Sequence, residues 1–275
     1  MNLDPSPLDQ LTLDEGWHVL HVFYHVDHAN WSVLSDPEQL QAKTDLTLLA
    51  QEIRTHPETQ LIVCSVVSPK ADIGCVLITP DLQDLNEFEK RLTQSLGPDI
   101  LTPVFSHVSM TTGDPYLETT EEHGNALVKT GLAEGSNAYR NAIAEFEKRI
   151  ERTEKDRLYP QLPDWPVFGF YSYCMRRATE ANWFTLGESK QRQLMNSESE
   201  TRREFNGKVK QLTTASIGLD DAEWAVTLFA LNSAELNSLV TRLRSNEASA
   251  VYAEFGEFYL GIQLPLDELF RRVGI

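Results

Sequence analysis

The segment "LMNSESETRREFNGKVKQ", Leu194 to Gln211, sets three carboxylates, Glu198, Glu200 and Glu204, beside two arginines, Arg202 and Arg203. It begins with helical character and ends with strand character. On a helix, Met195, Glu198 and Arg202 share one face, at spacings of three and four. Such a face is either a solvated run of charge or the working end of a site. A second concentration is imidazole: His18, His21, His25 and His28 crowd one strand and its exit. On a strand His21 and His25 share a face, with His18 and His28 opposite. A transition-metal site needs three or four convergent ligands, normally from several elements. His107, from a nearby strand, would complete one with a pair from this cluster. There is no G-x-x-x-x-G-K-[ST], G-x-G-x-x-G or G-x-S-x-G, so phosphate cradles and hydrolase elbows find no support.

The totals bound what these groups serve. With 275 residues, 41% of them hydrophobic, the chain can build one large core or two ordinary ones. Its 41 acidic against 24 basic residues give a net charge of -17, which repels phosphate backbones and anionic membranes. Nucleic acid and membrane are therefore not expected as partners. No apolar run approaches the ~20 residues of a transmembrane helix. The acidic opening "MNLDPSPLDQLTLDEG" lacks a leader's basic and apolar regions, so a cytoplasmic setting is expected. Cys64, Cys75 and Cys174 form no C-x-x-C pair and read as free thiols, although Cys64 and Cys75 lie in strand-like segments that could be neighbours.

The positioning elements come in two similar halves. Strand patterns at 17–27, 61–67, 73–79 and 101–111 alternate with helical ones, "DPEQLQAKTDLTLLAQEIR" and "PDLQDLNEFEKRLTQSLG". Strands at 165–175, 207–218, 223–231 and 256–264, with helices at 185–205 and over "NSAELNSLVTRLRSNEAS", repeat that order. A shift of 151 residues lays Gly74–Leu92 on Ala225–Leu243, matching Leu85-Asn86 with Leu236-Asn237 and Arg91-Leu92 with Arg242-Leu243. Shared order and shared residues argue for internal duplication. Each β-α-β-β-α-β half predicts a ferredoxin-like unit, a four-stranded antiparallel sheet with two helices on one face. Packing the free faces together gives a dimeric α+β barrel within one chain. The expected units are residues 15–112, an acidic linker with one helix at 113–164, and 165–275.

"LYPQLPDWPVFGFYSY", "NWFTL", "LMNS", "GKVKQLTTASIGLDDAEWAVTLFA" and "EASAVYAEFGEFYLG" resemble the chlorite dismutase-like superfamily over about residues 15–268, most closely its coproheme decarboxylase branch. "WHVLHVFY", "KADIGCVLITPDLQDLNEFEKRL" and "SHVSM" fit that branch too. The resemblance implies a homopentamer that binds iron coproporphyrin III or haem b in its C-terminal half. It further implies oxidative decarboxylation of two propionates, driven by hydrogen peroxide through a tyrosine radical, with the cofactor supplying the hard chemistry.

Position by position, the resemblance makes Tyr171, in the alternation Val167, Gly169, Tyr171, Tyr173, the radical tyrosine, and Gln211 the distal glutamine. Lys155, Arg157, Arg203 and Ser249 fall where propionates are contacted, and carboxylates suit such donors. Glu198 stands at the proximal iron position, where the family has histidine. Tyr173 and Met175 replace a methionine and a lysine, and Arg202 a glycine. A carboxylate is a harder, anionic ligand that favours ferric iron and lowers its potential. Glu198 then ligates iron weakly or through water, or merely lines an empty cavity; burial without compensation is costly, so Arg202 or Arg203 is expected to pair with it. Three functions stand: an altered coproheme decarboxylase, an inactive relative that carries porphyrin or serves as a structural subunit, and a non-haem metal protein using the histidines.

Overall fold

The computed structural model describes residues 11–275; the segment read for leader features lies largely outside them. The chain divides into two compact units, Thr112–Gln161 and the remainder, which joins residues up to Thr111 with Leu162–Ile275.

The first repeat runs β1 (His18–Val26), α1 (His28–Val33), α2 (Asp36–Thr55), β2 (Gln60–Val66), β3 (Ile73–Thr79), α3 (Leu82–Gln94) and β4 (Leu101–Met110). The unit between the repeats contains α4 (Thr120–Lys129) and α5 (Asn137–Leu158). The second repeat runs β5 (Val167–Met175), a small hairpin of β6 (Arg177–Ala178) and β7 (Ala181–Asn182), α6 (Glu188–Arg203), β8 (Val209–Ala215), β9 (Trp224–Ala230), α7 (Ser233–Ser245), α8 (Glu247–Tyr252) and β10 (Ala253–Gln263), followed by α9 (Leu266–Val273). A shift of 151 carries β3 onto β9 and α3 onto α7 residue for residue, so the duplication extends to element boundaries.

Local chemistry sets the helix starts. Ser35 and Glu38 make a capping box before α2, with proline in its first turn. Asp81 and Asn232 cap α3 and α7 through the amides of Gln83 and Glu235. The acidic linker, expected to hold one helix, carries a second, α4, because Thr119 and Glu122 form another capping box. "NSAELNSLVTRLRSNEAS" is two helices: Asn246, at φ −71° and ψ 146°, breaks it into α7 and α8.

Two antiparallel four-stranded sheets, β4-β1-β3-β2 and β10-β5-β9-β8, join at both edges into a closed barrel. The β2–β10 joint pairs Gly261 with Val66 and Gln263 with Cys64; the β4–β8 joint is the single pair Met110–Ala215. Residues of both sheets meet inside. Phe23 stacks on Tyr259 at 4.0 Å and lies 5.6 Å from Phe170. His21 and His107 are register partners, and both are buried. His21 Nε2 lies 2.7 Å from the Thr227 hydroxyl, His107 Nε2 3.0 Å from that of Ser216. Two imidazoles singled out for metal binding thus converge, but among the described residues no three His, Cys, Asp or Glu side chains gather to hold a metal ion. His25 instead faces Asp72, and His18 the Pro80 carbonyl. Cys64 and Cys75 are buried and free.

Outside the barrel, Leu46, Leu49, Ile53, Phe88 and Leu92 of α2 and α3 cover the first sheet in an apolar core. The β2–β10 joint demands a small residue at position 261. A Cβ on Gly261 would sit 2.6 Å from Cys64 Sγ and 3.3 Å from the Ser65 carbonyl. Gly261→Ala is therefore expected to cost about 2 kcal/mol through overpacking, read as a lower urea midpoint at unchanged slope. A midpoint equal to wild type would show that the joint yields freely.

Candidate functional site

The helix-covered face of the second sheet collects the residues singled out for chemistry. Alternation along β5 turns Val167, Tyr171 and Tyr173 to this face, where they meet Val226 and Leu228 of β9, Val209 of β8, Phe205, and Leu239 and Leu243 of α7. Tyr171 pairs with Val226, and Gln211 with Leu228, so the two lie on one face two strands apart. That separation is on the order of 10 Å. Gln211 Nε2 donates to the Thr213 hydroxyl at 3.1 Å, while its carbonyl oxygen is buried with no partner among the described residues.

Tyr171 is 4% exposed, with its ring stacked on Phe258 at 4.7 Å and 5.6 Å from Phe255. Burial raises the pKa of its phenol; Arg202 opposes the rise and Glu198 adds to it. The phenol is therefore neutral at ordinary pH. Tyr171 also walls a cavity of about 750 Å³ between α7 and the sheet, with Leu236, Val240 and Phe258. Two cations, Lys70 from the β2–β3 turn and Arg244 from the last turn of α7, reach its lining. Arg244 lies over Phe255 at 4.7 Å and over Phe258 at 5.9 Å. Neither cation has a local sequence signal: their meeting depends on two halves of the chain closing together.

Glu198 occupies the inner face of α6, its side chain 8% exposed. Both of its oxygens are engaged. Arg202, one turn on, donates to Oε2 at 2.9 Å, and the Ser249 hydroxyl of α8 donates to Oε1 at 2.5 Å. Of the two arginines expected to compensate Glu198, Arg202 does so; Arg203 points to solvent. Asn246 Nδ2 donates to the Thr201 hydroxyl at 3.0 Å, a second tie from α6 to the start of α8. Lys155 and Arg157 lie in the separate unit; there Lys155 is exposed and Arg157 pairs with Asp114 at 2.9 Å. Tyr171, Gln211, Glu198 and Ser249 thus gather around one helix-covered sheet, whereas Arg203 does not join them.

The family model described as chlorite dismutase matches residues 39–264. The chain belongs to the chlorite dismutase family. A heme-binding protein from Thermus thermophilus is 31% identical, with 96% of this chain and 97% of that one covered at a TM-score of 0.77. A mutant chlorite dismutase from Candidatus Nitrospira defluvii shares the fold at a TM-score of 0.71, with 16% identity and coverage of 97% and 99%. Family membership makes a haem group the ligand against which the site is judged. A 750 Å³ cavity with an aromatic wall and two cations suits the size and carboxylates of a porphyrin. Position 198, where the resemblance puts the axial ligand, does not suit the iron. The carboxylate there is neutralised by one neighbour and hydrogen-bonded by another, and no histidine occurs anywhere in residues 162–275.

Proposed function

We propose that the chain binds an anionic porphyrin, iron coproporphyrin III or haem b, on the helix-covered face of the second sheet, and that binding rather than oxidative turnover is its main task. The observation that carries this reading is the Glu198–Arg202–Ser249 cluster, a closed set of polar contacts at the expected axial position in a chain that otherwise keeps the family's fold. The heme-binding description of the Thermus relative supports the ligand class. Arg244, and Lys70 beyond its pair with Glu257 at 3.5 Å, offset only locally a net charge of -17 that repels an anionic ligand, so salt is expected to speed association.

A second reading, peroxide-dependent coproheme decarboxylation, draws on two features. Tyr171 is a neutral buried phenol at the cavity wall, and the unpartnered Gln211 oxygen is an acceptor able to hold a hydroperoxide proton. When bound, the iron porphyrin would supply the redox chemistry. The protein's share would be to orient the ring and hold these two groups near it. A homopentamer in the cytoplasm with Ser249 near the propionates belongs to the same reading.

Titration with ferric coproporphyrin III separates them. A Soret shift at micromolar protein, with no mass change of the porphyrin on adding peroxide, is the expected result. Haem b formation that Tyr171→Phe abolishes would establish the decarboxylase instead. No Soret shift at all would sink both.

A further inference from the structure

The mismatch between position 198 and iron has a consequence for the ligand itself. Any group that could bind iron strongly must come from the sheet, from α6 to α8, or from the cavity wall. The second repeat contains no histidine. His21 and His107 point into the barrel, where hydroxyls hold them, on the opposite side of the sheet from α6 and α7. Cys174 alternates with Tyr173 and so turns away from the helix-covered face. Glu198 has both oxygens engaged, Gln211 is a neutral amide, Met175 and Met195 offer only soft neutral thioethers that suit ferric iron poorly, and burial keeps Tyr171 protonated. What the site does offer is ring surface and charge: Tyr171 and Phe258 for stacking, Lys70 and Arg244 for carboxylates.

We infer that this site recognises the porphyrin through its ring and carboxylates and is indifferent to its metal, so that the metal-free porphyrin is as good a ligand as its iron complex. The inference rests on the porphyrin-binding reading above. It assigns the ligand class as a polycarboxylate tetrapyrrole, with or without iron. It also assigns Glu198 a positioning role: a pin between α6 and α8 in place of an axial ligand.

The test compares coproporphyrin III, followed by fluorescence, with its ferric complex, followed by the Soret band, on the full-length protein. Equal dissociation constants, within about threefold, are expected. Arg244→Glu and Lys70→Glu should weaken both by the same factor. Tighter binding of the ferric form by about tenfold or more would overturn the inference while leaving porphyrin binding intact. Binding of neither form would overturn the reading beneath it as well. Glu198→His provides a second readout. An imidazole at 198 should create a preference for the ferric form of about tenfold and a histidine-ligated spectrum. If wild type already shows a preference of that size, the inference fails whether or not the variant folds.

Discussion

Glu198→Ala is expected to lower the free energy of unfolding by about 3 kcal/mol, near the low end for breaking a buried ion pair. The cost arises because the substitution strands its partners. Arg202 is only 24% exposed, and its Nε is already buried without a partner among the described residues. Removing the carboxylate leaves that cation uncompensated and the Ser249 hydroxyl without its acceptor. A fall in Tm of several degrees follows for a domain of this size. Glu198→Leu combined with Arg202→Met should recover most of the loss, because replacing both members of a buried pair by apolar groups is often neutral. A double-mutant cycle measures the coupling directly, and more than about 1.5 kcal/mol is expected between 198 and 202. A coupling near zero would make Glu198 a surface carboxylate energetically, and its role as a pin would fall with it.

The second large effect is on acid stability. His21 is buried inside the barrel, and burial pushes its pKa well below 6.5, with His107 adding to the push. His107 and His18 are lowered too, chiefly by burial, against opposing pulls from Asp220 and from the Pro80 carbonyl. A histidine whose folded pKa is depressed stays neutral in the fold while the unfolded chain takes up a proton. The stabilisation is therefore complete above 6.5 and is lost as pH falls below it. Each such histidine contributes up to about 1.4 kcal/mol per pH unit. Stability should decline steeply between about pH 6.5 and pH 5, before most carboxylates titrate. His21→Phe, which keeps a ring beside Phe170, should reduce that slope by about one proton. Urea unfolding at several pH values reads the slope; a variant as steep as wild type would show that His21 does not contribute.

Much of the fold was legible because duplication doubles every signal. The β3 and α3 patterns recur in β9 and α7, with ends read a few residues wide, and alternation in β5 grouped Tyr171 with Val167 and Tyr173 on the face that helices cover. The charge relation between Glu198 and Arg202 followed from helical spacing alone. The other half of that cluster was hidden. Ser249 lies 51 residues from Glu198, and its position depends on the break at Asn246, where an extended backbone interrupts what reads as one helix. The cations beside the cavity were equally invisible, because Lys70 and Arg244 belong to different repeats. Local periodicity registers which face a side chain takes; it carries nothing about which distant turn closes over that face.

The barrel's closure limits how this molecule can meet others. An open sheet presents a row of free backbone amides and carbonyls, a template on which any extended strand can add. Here the first sheet's outer strands meet the second sheet's at both seams, over three pairs between β2 and β10 and one between β4 and β8. At the thinner seam, where β4 and β8 share one pair, the Asp220 carboxylate accepts from the Val108 amide at 2.7 Å and covers a donor that no strand reaches. A strand approaching that seam finds this amide already satisfied. Closure leaves less of the barrel's backbone for a neighbour to pair with, and so shifts recognition toward side chains on helices and turns.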